Sequence, residues 1–203
     1  MSVAETDRPK LALDTRERIM NAARARFEHY GFNKTTMAEI AQDCDMSAAN
    51  IYRFFDNKSE IAAEGTVRWL AAAEEALSAV AARKTVSAAE RLGGIVRTRL
   101  DLLSQLLARH PHLEELVADV CDQRPDLIRD HARNIGALIA GVLDDGVAAG
   151  DFESDDTAEA AATIQAATAM FTRHEFVRQA PVAELAQTAE KVVALLVRGL
   201  RKR

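Results

Sequence analysis

Apolar residues in this chain recur at three- and four-residue spacing, and no run of alternating β-branched residues interrupts them. Ile19, Ala22, Ala23, Phe27 and Tyr30 share one face of a helix predicted over 15–30, which Gly31 ends. Met37, Ile40 and Ala41 mark the inward side of a short helix over 36–43, and Ser47 opens another over 47–54. A fourth helix starts after Asn57, runs past Trp69 and ends near Ala82. Further helices are predicted over 87–109, 111–121, 125–148, 156–178 and 181–201. A capping-box pattern, a short polar residue with Glu three positions later, recurs at Asp14, Thr36, Asn57, Ser87 and Asp156. Pro111, Pro125 and Pro181 suit first turns, and Gly150 with Asp151 marks a break. The fold class is therefore all-α: an N-terminal three-helix unit over 1–57 and a C-terminal helical domain over 58–203, with the fourth helix crossing the boundary.

Residues 31–61 are the most informative stretch. Two short helices meet at a tight turn, Cys44-Asp45-Met46, and a third helix follows, which is the layout of a helix-turn-helix. Ala41, Ala49 and Ile51 are small or apolar enough to pack at the crossing. The helix over 47–54 is too short to stand alone, so Phe54, Phe55 and the first helix are expected to hold it. Its outward positions, Ser47, Ala48, Asn50, Tyr52 and Arg53, carry suitable chemistry for a duplex. Arg53 can pair with guanine or phosphate, Asn50 with adenine, and the Ala48 methyl can touch thymine. Thr36 and Tyr52 offer hydroxyls to phosphates, and Lys58 adds charge at the start of the fourth helix. Spacing alone fits a helical hairpin with solvated polar residues equally well.

Composition narrows the class. The chain has 203 residues and a formal net charge of −5, which argues against non-specific coating of nucleic acid but not against a local basic surface. Between Arg8 and Arg26 six basic residues stand against Asp14 and Glu17. No apolar run has membrane-spanning length, no leader pattern opens the chain, and Cys44 and Cys121 suggest no disulfide framework, so a cytoplasmic location and no membrane are expected.

Several segments together resemble the TetR family of transcriptional regulators. They are Ile19-Met20-Asn21-Ala22-Ala23 with Phe27 and Gly31-Phe32, Thr35-Thr36-Met37-Ala38-Glu39-Ile40-Ala41, Ser47-Ala48-Ala49-Asn50-Ile51-Tyr52-Arg53-Phe54-Phe55 and Lys58-Ser59-Glu60-Ile61. The likeness covers roughly 15–65. It departs at the turn, where Cys44-Asp45 replaces the usual Ala-Gly, and within the recognition helix, where Ala49-Asn50 replaces Gly-Thr. Asp tolerates left-handed geometry, so the turn survives the change. The resemblance implies a DNA-facing set of Thr35, Thr36, Ser47, Ala48, Asn50, Tyr52, Arg53 and Lys58. Within it Thr36, Ser47, Tyr52 and Lys58 would meet phosphates, and Ala48, Asn50 and Arg53 would meet bases. An N-terminal arm with Arg8 and Lys10 would reach a neighbouring minor groove.

A single recognition helix reads few base pairs, so a palindromic double-stranded operator calls for a homodimer. Val182, Ala186, Ala189, Val193, Leu196 and Leu200 follow a 4-3-4-3-4 spacing, and Leu185, Val192 and Leu195 make a second apolar face. With the alanine-rich helix over 156–178, the helix over 181–201 is expected to form half of an intersubunit four-helix bundle. The resemblance implies that the middle helices bind a small-molecule effector, with Trp69, Leu103, Thr168 and Phe171 as candidate lining, and that the effector releases a repressor from DNA.

His110, His112, Cys121 and His131 match no zinc-ligand spacing, and no phosphate loop or nucleophile elbow is present. No catalytic residue, metal or cofactor is expected. A helical interaction module without DNA binding and an enzyme remain the competing classes. The first predicts no salt-dependent affinity for a duplex, and the second predicts turnover or a bound metal.

Overall fold

The structure is a computed structural model that describes residues 7–201, with side chains from Leu13 onward. The described residues form ten α-helices and one 3₁₀ turn: α1 (Asp7–Tyr30), α2 (Met37–Asp43), α3 (Ala48–Ile51), α4 (Lys58–Ala81), α5 (Ala88–Arg109), α6 (Leu113–Gln123), α7 (Pro125–Ala148), α8 (Thr157–Ala167), the turn Ala169–Phe171, α9 (His174–Val177) and α10 (Val182–Leu200). Among them no helix is long and apolar enough to cross a membrane.

Local chemistry sets most of the boundaries. Gly31 takes φ 92° and closes α1, a conformation that costs glycine little. Thr36 and Ser87 each form a complete capping box with the glutamate three residues on. Asp156 accepts from the Glu159 amide at 2.9 Å, and Asn57 accepts from the Glu60 amide at 2.9 Å. Two expectations are corrected here. Helix α1 begins at Asp7, so Asp14 lies inside it and caps nothing. The helix expected over 156–178 breaks at Thr168, which ends α8 with its amide and hydroxyl both bonded to the Ile164 carbonyl. The 3₁₀ turn after it carries Phe171 into the core, and Arg173 in extended conformation opens α9.

The chain forms two compact units. The first extends to Arg68 and includes Arg109–Pro125, which contains α6. Its core gathers Ile19, Ala23, Phe27, Phe32, Met37, Ile40, Ile51 and Phe55. Tyr30, expected on the inward face of α1, is instead exposed. The second unit comprises Trp69–Ala108 and Asp126–Arg203. One apolar cluster fills it, with Leu92, Ile95, Val96, Leu100 and Leu103 from α5, Ile135, Ile139, Val142 and Leu143 from α7, and Leu185, Ala189, Val193 and Val197 from α10. Gly146 is required in this core, because a Cβ there would lie 2.2 Å from the Phe152 ring.

Candidate nucleic-acid interface

The geometry of α2 and α3 follows from a turn that one residue makes possible. Asp45 adopts φ 53°, the left-handed region in which a short polar side chain is tolerated. The Met46 amide then reaches back to the Ala41 carbonyl at 2.9 Å, and Ser47 caps α3 by accepting from the Asn50 amide at 3.2 Å. Beneath the turn Cys44 is buried, and burial pushes its thiol up, so it stays protonated at neutral pH.

Helix α3 has four residues, too few to persist by itself. Ile51 and Phe55 anchor it in the core. The Arg16 guanidinium lies 4.0 Å from the centre of the Phe55 ring, donates to the Phe54 carbonyl at 2.5 Å and pairs with Glu64. Arg18 donates to the Cys44 carbonyl at 2.9 Å, and Arg26 forms a two-pronged pair with Asp43 at 2.5 and 2.9 Å. Three of the six N-terminal basic residues thus hold the protein together. The side chains of Arg8 and Lys10 lie outside the described residues.

Burial divides the predicted site residues. Ser47, Ala48, Tyr52 and Arg53 are exposed along α3 and the turn after it, Asn50 is half-buried, and Thr36 is exposed at the head of α2. Ala49, expected to pack at the crossing, is exposed as well. Thr35 is corrected: its side chain is buried, and its hydroxyl donates to the Gly31 carbonyl at 2.8 Å, so it shapes the loop and presents no group outward. The Lys58 ammonium donates to the carbonyls of Phe32, Asn33 and Thr35 at 2.7, 3.3 and 3.0 Å and sits 4.4 Å from the centre of the Phe32 ring. All three of its protons have protein acceptors. Lys34, which sequence reasoning passed over, is exposed immediately before Thr35 and Thr36. Its signal was its place in the α1–α2 loop, where a cation flanks the start of α2.

Helix α6 supports the same unit. Glu115 accepts from the Asn33 amide at 2.8 Å, Ser59 donates to Asp119 at 3.0 Å, and His110 Nε2 lies 3.5 Å from Glu28. In the second unit His131 Nδ1 lies 2.7 Å from Glu74. Cys121 is exposed, and among the described residues no three His, Cys, Asp or Glu side chains gather to hold a metal.

The candidate effector residues all have ordinary places in the second unit. Trp69 is half-buried, and Leu103, Thr168 and Phe171 are buried, with the Thr168 hydroxyl given to Ile164. Two grooves mark this unit, one of about 520 Å³ between α5 and α10 and one between α8 and α10, and neither is lined by these four residues.

Two family models cover most of the chain. Residues 19–64 match the model described as bacterial regulatory proteins of the tetR family. Residues 88–193, more than half the chain, match that of the tetracyclin repressor-like C-terminal domain. The chain belongs to the TetR family. Members of this family are DNA-binding transcriptional regulators rather than enzymes, and the family's N-terminal model spans the turn at Asp45 and the capped α3. Solved structures of similar fold include a putative TetR-family regulator from Mesorhizobium loti, with TM-score 0.74, 19% identity and 94% of this chain covering 98% of that one. Another is the Thermus thermophilus repressor FadR in complex with lauroyl-CoA, with TM-score 0.60, 23% identity and coverage of 93% and 96%. The ketosteroid regulator KstR2 of Mycobacterium tuberculosis follows with TM-score 0.55, 21% identity and coverage of 93% and 95%. Among curated proteins none matches this sequence.

Proposed function

We propose that this TetR-family regulator is a homodimeric repressor that binds a palindromic operator in the cytoplasm and leaves it when a small molecule binds. The observation that carries the DNA-binding part is the division of burial across the reading element. Met37, Ile40, Ala41 and Ile51 are buried, while Ser47, Ala48, Tyr52 and Arg53 stand in solvent on a turn fixed by Asp45. In this reading Ala48, Asn50 and Arg53 meet bases, and Thr36, Ser47, Tyr52 and Lys34 meet phosphates. Lys58 acts from behind, by holding the loop that carries Lys34 and Thr36.

Dimerisation through α8 and α10 is supported by apolar surface left outside the second unit's core. Leu195 is 62% exposed, and Ala162, Ala166, Met170 and Val182 are exposed as well. Small side chains on α8 let a second copy approach closely. Release by a small molecule is supported by relatives of the same fold that are described with lauroyl-CoA and with stearoyl-CoA. An effector achieves release only by preferring one spacing of the two reading elements over the other.

The test is retention of genomic fragments of the source organism by the purified dimer, followed by affinity measurement on the enriched site. One or a few palindromic sites should emerge, and Arg53→Ala should weaken binding to them by about 1–3 kcal/mol. No enrichment by a folded dimer at low and moderate salt would leave the interaction-module reading in its place.

A further inference from the structure

The loop between α1 and α2 carries Lys34 and Thr36, and side chains of opposite charge grip it from two helices of the first unit. The Lys58 ammonium, from α4, takes the carbonyls of Phe32, Asn33 and Thr35. The Glu115 carboxylate, from α6, takes an amide: its Oε2 accepts from the Asn33 N–H at 2.8 Å, across 82 residues of chain. Asn33 is thus bonded to a cation through its carbonyl and to an anion through its amide. Residue 31 has to be glycine for the carboxylate to come this close, because a Cβ there would lie 2.9 Å from Glu115 Oε2 and 3.2 Å from Oε1. One turn further along α6, Asp119 accepts from the Ser59 hydroxyl at 3.0 Å, next to Lys58 in the first turn of α4. Residues 115 and 119 share one helix face, so α6 braces the loop and the turn that bears Lys58 together.

A carboxylate behind a surface that meets phosphates repels the duplex, so by charge alone Glu115 weakens DNA binding. Its placement is accounted for by what it fixes. Asn33 directly precedes the exposed Lys34, and Thr36 stands at the head of α2. A loop held by its amide as well as its carbonyls presents these two side chains at one fixed spacing. A loop freed at Asn33 has to be ordered on binding, which costs affinity. We infer that Glu115 is a positioning residue for operator binding, which acts through Asn33 on Lys34 and Thr36 without facing the duplex itself. This deepens, and rests on, the operator-binding reading above, and it gives α6 a part in shaping the surface that reads DNA.

The test uses the full-length protein and the operator fragment recovered from genomic DNA. Glu115→Asp keeps the charge but withdraws the carboxylate by one methylene. Glu115→Gln keeps the reach and an acceptor oxygen but loses the charge. Glu115→Asp should weaken operator affinity about five- to twentyfold, with an unchanged slope of log affinity against log salt. Glu115→Gln should stay within about threefold of wild type. In a double-mutant cycle, Lys34→Ala should weaken binding less in the Glu115→Asp background than in wild type, a coupling that a general loss of stability does not produce. Three results would overturn the inference and leave Glu115 a structural contact: affinity in Glu115→Asp equal to or tighter than wild type, additive losses with Lys34→Ala, or a loss in Glu115→Gln as large as that in Glu115→Asp. Obtained with a wild type that binds its operator, they leave the regulator reading standing. A wild type that binds no duplex overturns the regulator reading, and the inference with it.

Discussion

The first unit and the second unit solve the problem of helix stability by opposite means. In the first, α2 and α3 have seven and four residues, and long cationic side chains reach across to backbone carbonyls: Arg16 to Phe54, Arg18 to Cys44, and Lys58 to Phe32, Asn33 and Thr35. In the second, helices such as α5 and α7 have 22 and 24 residues and meet through apolar stripes. Short helices leave many carbonyls without intrahelical donors, and charged donors satisfy them more strongly than neutral ones. The result is a surface whose loops are fixed in shape. Long helices satisfy their own backbones, so their packing can shift without breaking hydrogen bonds. A surface that must match a duplex calls for the first design, and the ligand response proposed above would draw on the second.

The comparison breaks most visibly at Phe171, which is wholly buried in the second unit's core. Phe171→Ala should cost about 3–5 kcal/mol, read from the urea midpoint at unchanged slope. No polar substitution of comparable size in the first unit should match that loss.

Lys58→Met tests the other design. Three carbonyls would lose their charged donor, and stability should fall by about 1–3 kcal/mol. Operator affinity should fall too, because the loop carrying Lys34 and Thr36 loses its support, but its dependence on salt should stay the same. Lys34→Ala should do the reverse: stability within about 0.5 kcal/mol of wild type, and a slope of log affinity against log salt reduced by about 1. A reduced salt slope in Lys58→Met would place its ammonium on a phosphate instead.

Legibility from sequence divides along the same line. The capping boxes at Thr36 and Ser87, the Asp45 turn and the helix-turn-helix are patterns within a few residues, and each could be read from spacing and residue type. Lys58 has the type and helix-start position that suit a phosphate, but the carbonyls that accept from its ammonium lie 23–26 residues earlier, and no local pattern encodes them. Thr35 misled because a hydroxyl beside the motif looks available until the Gly31 carbonyl is brought to it. Membership of α6 in the first unit rests on Glu115 meeting Asn33, 82 residues away, which no periodicity encodes. The break at Thr168 was invisible to an alanine-rich helical pattern, because it depends on Phe171 being drawn into a core built by other helices.

Acid sharpens the comparison with the smallest effect. In the first unit, the Thr36 hydroxyl and amide hold Glu39 below the usual carboxylate range, and the Arg26 guanidinium does the same for Asp43. In the second, the Lys84 ammonium and Arg91 guanidinium hold down Asp145. A carboxyl depressed in the folded state is more acidic there than in the unfolded chain. Its stabilisation is therefore present above the unfolded value, near 4 for such groups, and is lost as pH falls through the lower folded value. Stability should accordingly be level near neutrality and decline below about pH 4. Arg26→Met removes the partner of an exposed carboxylate, so the acid decline should become shallower while neutral stability drops only slightly. Arg91→Met acts on a buried guanidinium and frees the Ala81 carbonyl as well, so its neutral stability should fall further than that of Arg26→Met. Urea midpoints at pH 7 and pH 3 for the two variants measure both quantities. Equal neutral losses would mean that the charged contacts of the two units are worth the same, and that burial does not separate them.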